Sequence, residues 1–277
     1  MKKTLFKNNN SAVAGVIEAL LIVALVAIII STIQLTYIPE IMSQREADHM
    51  RETSNQFSYI KSIIDLQSTT KQNTPVTTTL DLSCGAIPYF VTMASTGELR
   101  IIEDSKYEIN IDFDATQIPL TKINLTSYNN YYLDGDDINF ALEGGAVFLK
   151  QEEGSAMRVP PSISVENETN DINIYYDIPI IVGVEGKTQV AGNEIVHIRS
   201  NYSSADSSYL SDTDVTNLKI YSDYAEYWYE YLNEILSDNV NYVLNDDNVE
   251  ITKKIKNINF YYKRTYIYIQ IGEGYIR

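Results

Sequence analysis

The first pattern along the chain is one without alternation. From Ala12 to Ile38 (AVAGVIEALLIVALVAIIISTIQLTYI) every residue but Glu18 is uncharged and most are apolar, and Ala19 to Pro39 carries no charge at all. A helix of that length, at ~1.5 Å per residue, matches a ~30 Å hydrocarbon layer. A soluble core helix has no need to be apolar on every face. Past Pro39, which predicts a kink or an end, helix-forming residues continue, and Phe57, Ile60 and Ile64 recur at spacings of three and four. That stripe predicts a second half of the helix packed on a folded domain.

Gln67 to Thr79 (QSTTKQNTPVTTT) is polar, holds Pro75 and reads as a linker. Beyond it, short apolar runs alternate with turn signals: Phe90–Met93, Leu99–Ile102, Tyr107–Phe113, Ile138–Leu142, Ala146–Leu149, Ile172–Ile174, Ile178–Val184 and Glu194–Ile198. Breaks such as Gly144-Gly145 and Pro160-Pro161 separate them, the pattern of an antiparallel all-β domain. Near the end, Tyr224, Trp228, Leu232 and Ile235 mark one amphipathic helix over Ser222 to Ser237, with Asp223 and Glu226 placed as a capping box. Strands are expected after it at Val240–Leu244, Val249–Phe260 and Thr265–Ile271. The expected fold class is α+β: a long N-terminal helix followed by a β-rich domain, a sandwich or jelly-roll-like pair of sheets, with one C-terminal amphipathic helix. The expected organisation is a basic leader at 1–12, the helix at 13–66, the linker at 67–79 and the β-rich domain at 80–277.

Charge assigns sides. Lys2, Lys3 and Lys7 precede the apolar run, while Glu40, Arg45, Glu46 and Asp48 follow it with mixed sign; the positive-inside bias puts the leader in the cytoplasm and the large domain outside. The chain carries 37 acidic against 21 basic residues, a net of −16, which argues against a nucleic-acid partner. From Val249 onward the balance reverses, with six basic residues against Glu250 and Glu273. A contact with an acidic patch on another subunit, or an edge strand protected by lysines, both account for that reversal. Asn124, Asn167 and Asn201 open N-x-[ST] sequons, possible glycosylation sites in an extracellular domain.

Catalytic chemistry is not legible. His49 and His197 are far apart, and one cysteine, Cys84, excludes an intrachain disulfide. With three such ligands in all, no zinc site is expected, and no cofactor. The loop Asp134-Gly135-Asp136-Asp137 offers carboxylates to calcium but lacks the EF-hand spacing, and Asp-Gly is also a common turn. Asp112 with Asp114, and Asp246 with Asp247, are weaker versions of the same cluster.

The leader has an inverted order. Its small residues (Ser11, Ala12, Ala14, Gly15) precede the apolar run, so a cut there keeps the helix on the mature protein, unlike an ordinary secretory signal. The segment NNNSAVAGVIEALLIVALVAIII resembles the N-terminus of archaeal type IV pilin-like proteins, whose short basic leader is removed by a prepilin peptidase just before a helix opening in the style AVSPVIG. The resemblance implies cleavage between Ala12 and Val13. Gly15 stands where that style has proline, and Glu18 where it has glycine. A glutamate early in the helix is similar to that of bacterial pilins, which meets a neighbour's free amine; Glu18 pairing in this way sets the register of stacked helices, and snorkelling to the headgroups is its other explanation. Phe140–Val147 and Met157–Pro161 are similar to segments of uncharacterised archaeal surface proteins.

The resemblance implies a non-enzymatic surface protein, anchored or polymerised through its helix as a major, minor or tip (adhesin) subunit. Its partners are then membrane lipid, like or related pilin subunits, prepilin peptidase and the pilus assembly machinery. A bitopic anchor carrying an extracellular binding module that forms no filament is the alternative, and an anchored hydrolase is a third reading.

Overall fold

The computed structural model describes residues 10–85, 95–112, 115–129, 131, 137–151, 156–236 and 239–274, with side chains from Ala14 onward. A single helical rod opens the chain: α1 (Asn10–Thr32), a π turn (Ile33–Tyr37) and α2 (Ile38–Thr70), in all about 90 Å at ~1.5 Å per residue. Pro39 neither ends nor breaks it. Proline lacks a donor and crowds the carbonyl four residues back; widening the preceding turn, with the Ile38 N–H bonded to the Ile33 carbonyl, takes up that misfit. The helix ends at Lys71, which adopts the left-handed conformation (φ 52°) and returns its N–H to the Gln67 carbonyl at 2.9 Å.

The β-rich domain that follows comprises β1 (Val76–Asp81), β2 (Thr96–Ile102), β3 (Glu108–Ile111), β4 (Thr116–Pro119), β5 (Lys122–Tyr128), β6 (Asp137–Glu143), β7 (Ala146–Lys150), β8 (Ala156–Val159) and β9 (Ile163–Asn167). It continues with β10 (Asp171–Gly183), β11 (Gln189–Gly192), β12 (Ile195–Ala205), β13 (Leu210–Val215), β14 (Asn217–Tyr221), α3 (Ala225–Leu236), β15 (Val240–Leu244), β16 (Asn248–Lys253) and β17 (Asn257–Ile271). Three sheets form. The first runs β1-β12-β17-β10-β9, with β13 on β17 beyond the end of β12; the second runs β11-β2-β5-β6-β7-β8; the third runs β15-β16-β14-β3-β4. The last two are antiparallel throughout, but the centre of the first is a parallel pair, β10 against β17 over thirteen registered residues from Asp171↔Asn257 to Gly183↔Ile269. An all-antiparallel arrangement is therefore not what this sequence builds.

That parallel pair organises the cores. Alternation sends even residues of β10 and β17 (Ile172, Ile174, Tyr176, Ile258, Phe260) into one core with the third sheet and α3. Odd residues farther along (Ile181, Ile267, Ile269, Ile271) enter a second core on the opposite face, shared with the second sheet and with Phe57, Ile60 and Ile64 of α2. Strands buried on both faces read as near-continuous apolar runs, which is why Ile172–Ile174 and Ile178–Val184, expected as two strands, are one. Pro179 fits because the N–H groups of Asp177, Ile181 and Gly183 all point away from β17, to Ser162 O, Thr121 Oγ1 and Glu103 Oε1. Proline occupies the same row and removes no ladder bond.

Other boundaries also differ from expectation. The linker shrinks to 71–75: Ser68, Thr69 and Thr70 return their hydroxyls to carbonyls one turn back, and Gln67 Nε2 donates to Thr74 O and Ser200 O, so polar residues complete the helix and dock it. Val249–Phe260 is not one strand, because β16 ends at Lys253 and β17 begins at Asn257 and runs through Lys263-Arg264. Both charges are accommodated; Arg264 pairs with Asp206 at 2.9 Å. Phe90–Met93 lies outside the described residues.

Candidate functional site

The rod is divided sharply in exposure. Every residue from Ala14 to Tyr37 is exposed, and burial begins at Ile38. Val16, Leu20, Leu21, Val23 and Ile28 are each about 60–66% exposed. This bare segment is about 36 Å of helix at ~1.5 Å per residue, long and apolar enough to cross a membrane. So large an apolar surface demands a partner, lipid or protein. Glu18 lies on it, exposed, as its one charged side chain. Ala12 and Val13 belong to the helical backbone, and the leader before Asn10 lies outside the described residues.

Below the bare segment a collar fixes the helix to the domain. Ile38 and Met42 pack with Cys84 and Tyr131. Glu46, fully buried, accepts the Tyr131 N–H at 2.9 Å. His49 is buried and donates Nε2–H to Asp81 O at 2.9 Å, while Gln56 holds both the N–H and the carboxylate of Asp81. Burial pushes the Cys84 thiol up. The stripe Phe57, Ile60 and Ile64 then enters the second core, Phe57 stacking on Phe140 with ring centroids 5.7 Å apart.

A second concentration of chemistry lies inside the domain and was not anticipated. Lys122, 1% exposed, opens β5; Glu143, fully buried, closes β6 as its cross-strand partner; Asp223 lies between β14 and α3. Lys122 Nζ is 2.8 Å from Asp223 Oδ2 and 3.5 Å from Glu143 Oε2, and sits 3.7 Å from the centre of the Tyr107 ring. Ser222 Oγ and Trp228 Nε1 donate to Glu143 Oε1, the latter at 3.4 Å, whereas Oε2 is buried with no hydrogen bond. The tight turn Gly144-Gly145, with φ of 56° and 78°, places Glu143 there.

Burial raises the Glu143 carboxyl above the usual range, against the pull of Lys122. Burial also pushes on Asp223, but hydrogen bonds from Lys122 and Tyr107 outweigh it and hold that carboxyl low. A cleft of about 220 Å³ lined by Ile102, Asn124, Asn139, Lys150 and Tyr224 opens beside Lys122 and Asp223. Asp223 therefore does not cap α3 as its spacing with Glu226 predicted; the lysine claims it.

The remaining candidates separate. Asn167 is exposed at the end of β9. Asn124 is inside β5, half-buried and bonded to Thr126 and Tyr224; Asn201 is in β12 with Oδ1 buried and unbonded. Asp134-Gly135-Asp136 and Asp114 lie outside the described residues. Asp112 uses Oδ1 to accept from Thr216 N–H, Thr216 Oγ1 and Asn217 N–H, a turn-fixing role. Among the described residues no group of three or more His, Cys, Asp or Glu is placed to hold a metal. His197 is exposed on β12. The basic C-terminal residues do not protect an edge, since β16 and β17 each have neighbours on both sides. Lys253 meets Asp214 at 3.3 Å and Lys256 meets Asn167 and Glu168 O.

A model of a family of unknown function, DUF7289, matches residues 11–267, nearly the whole chain including the bare helix. No curated protein and no solved structure matches it.

Proposed function

This chain belongs to the DUF7289 family, and we propose that it is a non-enzymatic cell-surface protein of archaeal type IV pilin-like character. The basic leader is cut between Ala12 and Val13, the bare helix is held in the membrane or packed against the helices of like or related subunits, and the β-rich domain lies outside the cell. The observation that carries this reading is the abrupt change at Ile38: about 36 Å of apolar helix without cover, continuous with a lower half locked into the domain. A secretory signal needs no such rigid continuation into the folded domain, and a soluble helix does not leave its apolar surface bare. The small residues before the apolar run, and Glu18 close to the new amine, support trimming and axial pairing. The negative net charge suits a hydrated outer surface.

Immunogold labelling of cells producing the wild-type chain and Glu18→Gln tests the proposal. Label on filaments that is lost in the variant, with the protein retained in the membrane, is expected. Label confined to the flat envelope for both supports a plain bitopic anchor, and label in the cytoplasm overturns both readings.

A further inference from the structure

Lys122, Asp223 and Glu143 meet inside the β-rich domain, apart from the bare helix and its collar. We propose that Lys122 and Asp223 are joined by an intramolecular side-chain amide bond, formed autocatalytically with Glu143 as the proton carrier. This inference goes beyond the surface-protein reading and does not rest on it.

Three observations carry it. The amine nitrogen lies 2.8 Å from a carboxylate oxygen, against the face of Tyr107 and near Tyr224, an ion-pair contact that holds the two groups side by side. Glu143 Oε2, fully buried without a hydrogen bond, stands 3.5 Å from the same nitrogen, where a carboxyl can take and return protons. The third is cost: burying a lysine between two carboxylates is expensive and seldom more stable than an apolar substitute, whereas the amide removes one positive and one negative charge.

The balance closes without any co-reactant. One ammonium proton passes to Glu143 Oε2 and from it to an Asp223 oxygen, as the freed lone pair on Nζ attacks Asp223 Cγ to form the C–N bond. A second proton moves from Nζ through Glu143 to the departing oxygen. The C–O bond breaks, one water leaves through the half-exposed side of Asp223 toward the adjoining cleft, and the third proton remains as the amide N–H.

The product staples the start of β5 in the second sheet to the junction between the third sheet and α3. The two ends are 101 residues apart, in a chain whose single cysteine permits no intrachain disulfide.

A tryptic map of the fully denatured wild-type chain decides the matter. The expected species is a branched peptide joining residues 107–150, uncut at Lys122, to residues 220–253, lighter by one water than the two together. Lys122→Arg, which keeps the charge, and Glu143→Gln are expected to yield residues 220–253 as a linear peptide. Recovery of 107–122, 123–150 and 220–253 from the wild type as separate linear peptides overturns the bond whatever the variants do. Persistence of the branched peptide in Glu143→Gln overturns the role given to Glu143.

Discussion

Asp206 and Arg264 show how single side chains let a charged segment enter the centre of a sheet. Arg264 donates to Asp206 through Nε at 2.9 Å and Nη2 at 3.2 Å, and its backbone N–H adds a third bond. These bonds hold the Asp206 carboxyl below its ordinary range. A carboxyl depressed on folding stabilises the fold above its unfolded pKa, and that contribution fades as pH falls through the folded value. Asp206→Asn is expected to lower unfolding free energy by about 1–2 kcal/mol at neutral pH. Denaturant titrations at descending pH should show the gap between wild type and variant closing. At the Gly144-Gly145 turn the reason is steric: a Cβ on Gly144 meets the Tyr176 hydroxyl at 2.6 Å and φ is 56°. Gly144→Ala is expected to cost about 1–3 kcal/mol by the same titration. That turn was legible from the sequence as a glycine pair between apolar runs. The lysine cluster beside it was not, because Lys122, Glu143 and Asp223 meet only through cross-strand register and the packing of a distant loop.

Among elements, the helix rod is where local pattern and tertiary structure agree best. The spacing of Phe57, Ile60 and Ile64 identified the docking stripe, and all three are buried. Phe57→Ala removes the ring stacked on Phe140 and is expected to cost about 3–5 kcal/mol, read as a lowered unfolding midpoint in detergent solution. Pro39 does not end the helix, because the turn before it widens to take up the misfit. Strand periodicity found most apolar runs, but could not reveal that β10 and β17 run parallel and are buried on opposite faces at opposite ends. Parallel pairing joins segments 86 positions apart, beyond the reach of any local signal. Of the three sequons, burial favours Asn167; if the chain is glycosylated, mapping of glycopeptides should find the glycan there and not on Asn124 or Asn201.

At the scale of the molecule, one rod carries two different surfaces. Its first half offers apolar side chains in every direction; its second half buries one stripe in the domain and leaves a mostly polar remainder, with Tyr59 and Leu66 exposed among it. At Ile38 the exposed apolar surface gives way to burial against the domain. If this is how the protein is held, the leader is removed and the helix kept, so the N-terminal peptide of the protein recovered from the cell envelope should be identified by mass spectrometry. It is expected to begin at Val13 and to be contiguous with the apolar run. A chain still beginning at Met1, or one starting beyond Pro39 with the apolar segment gone, contradicts this account.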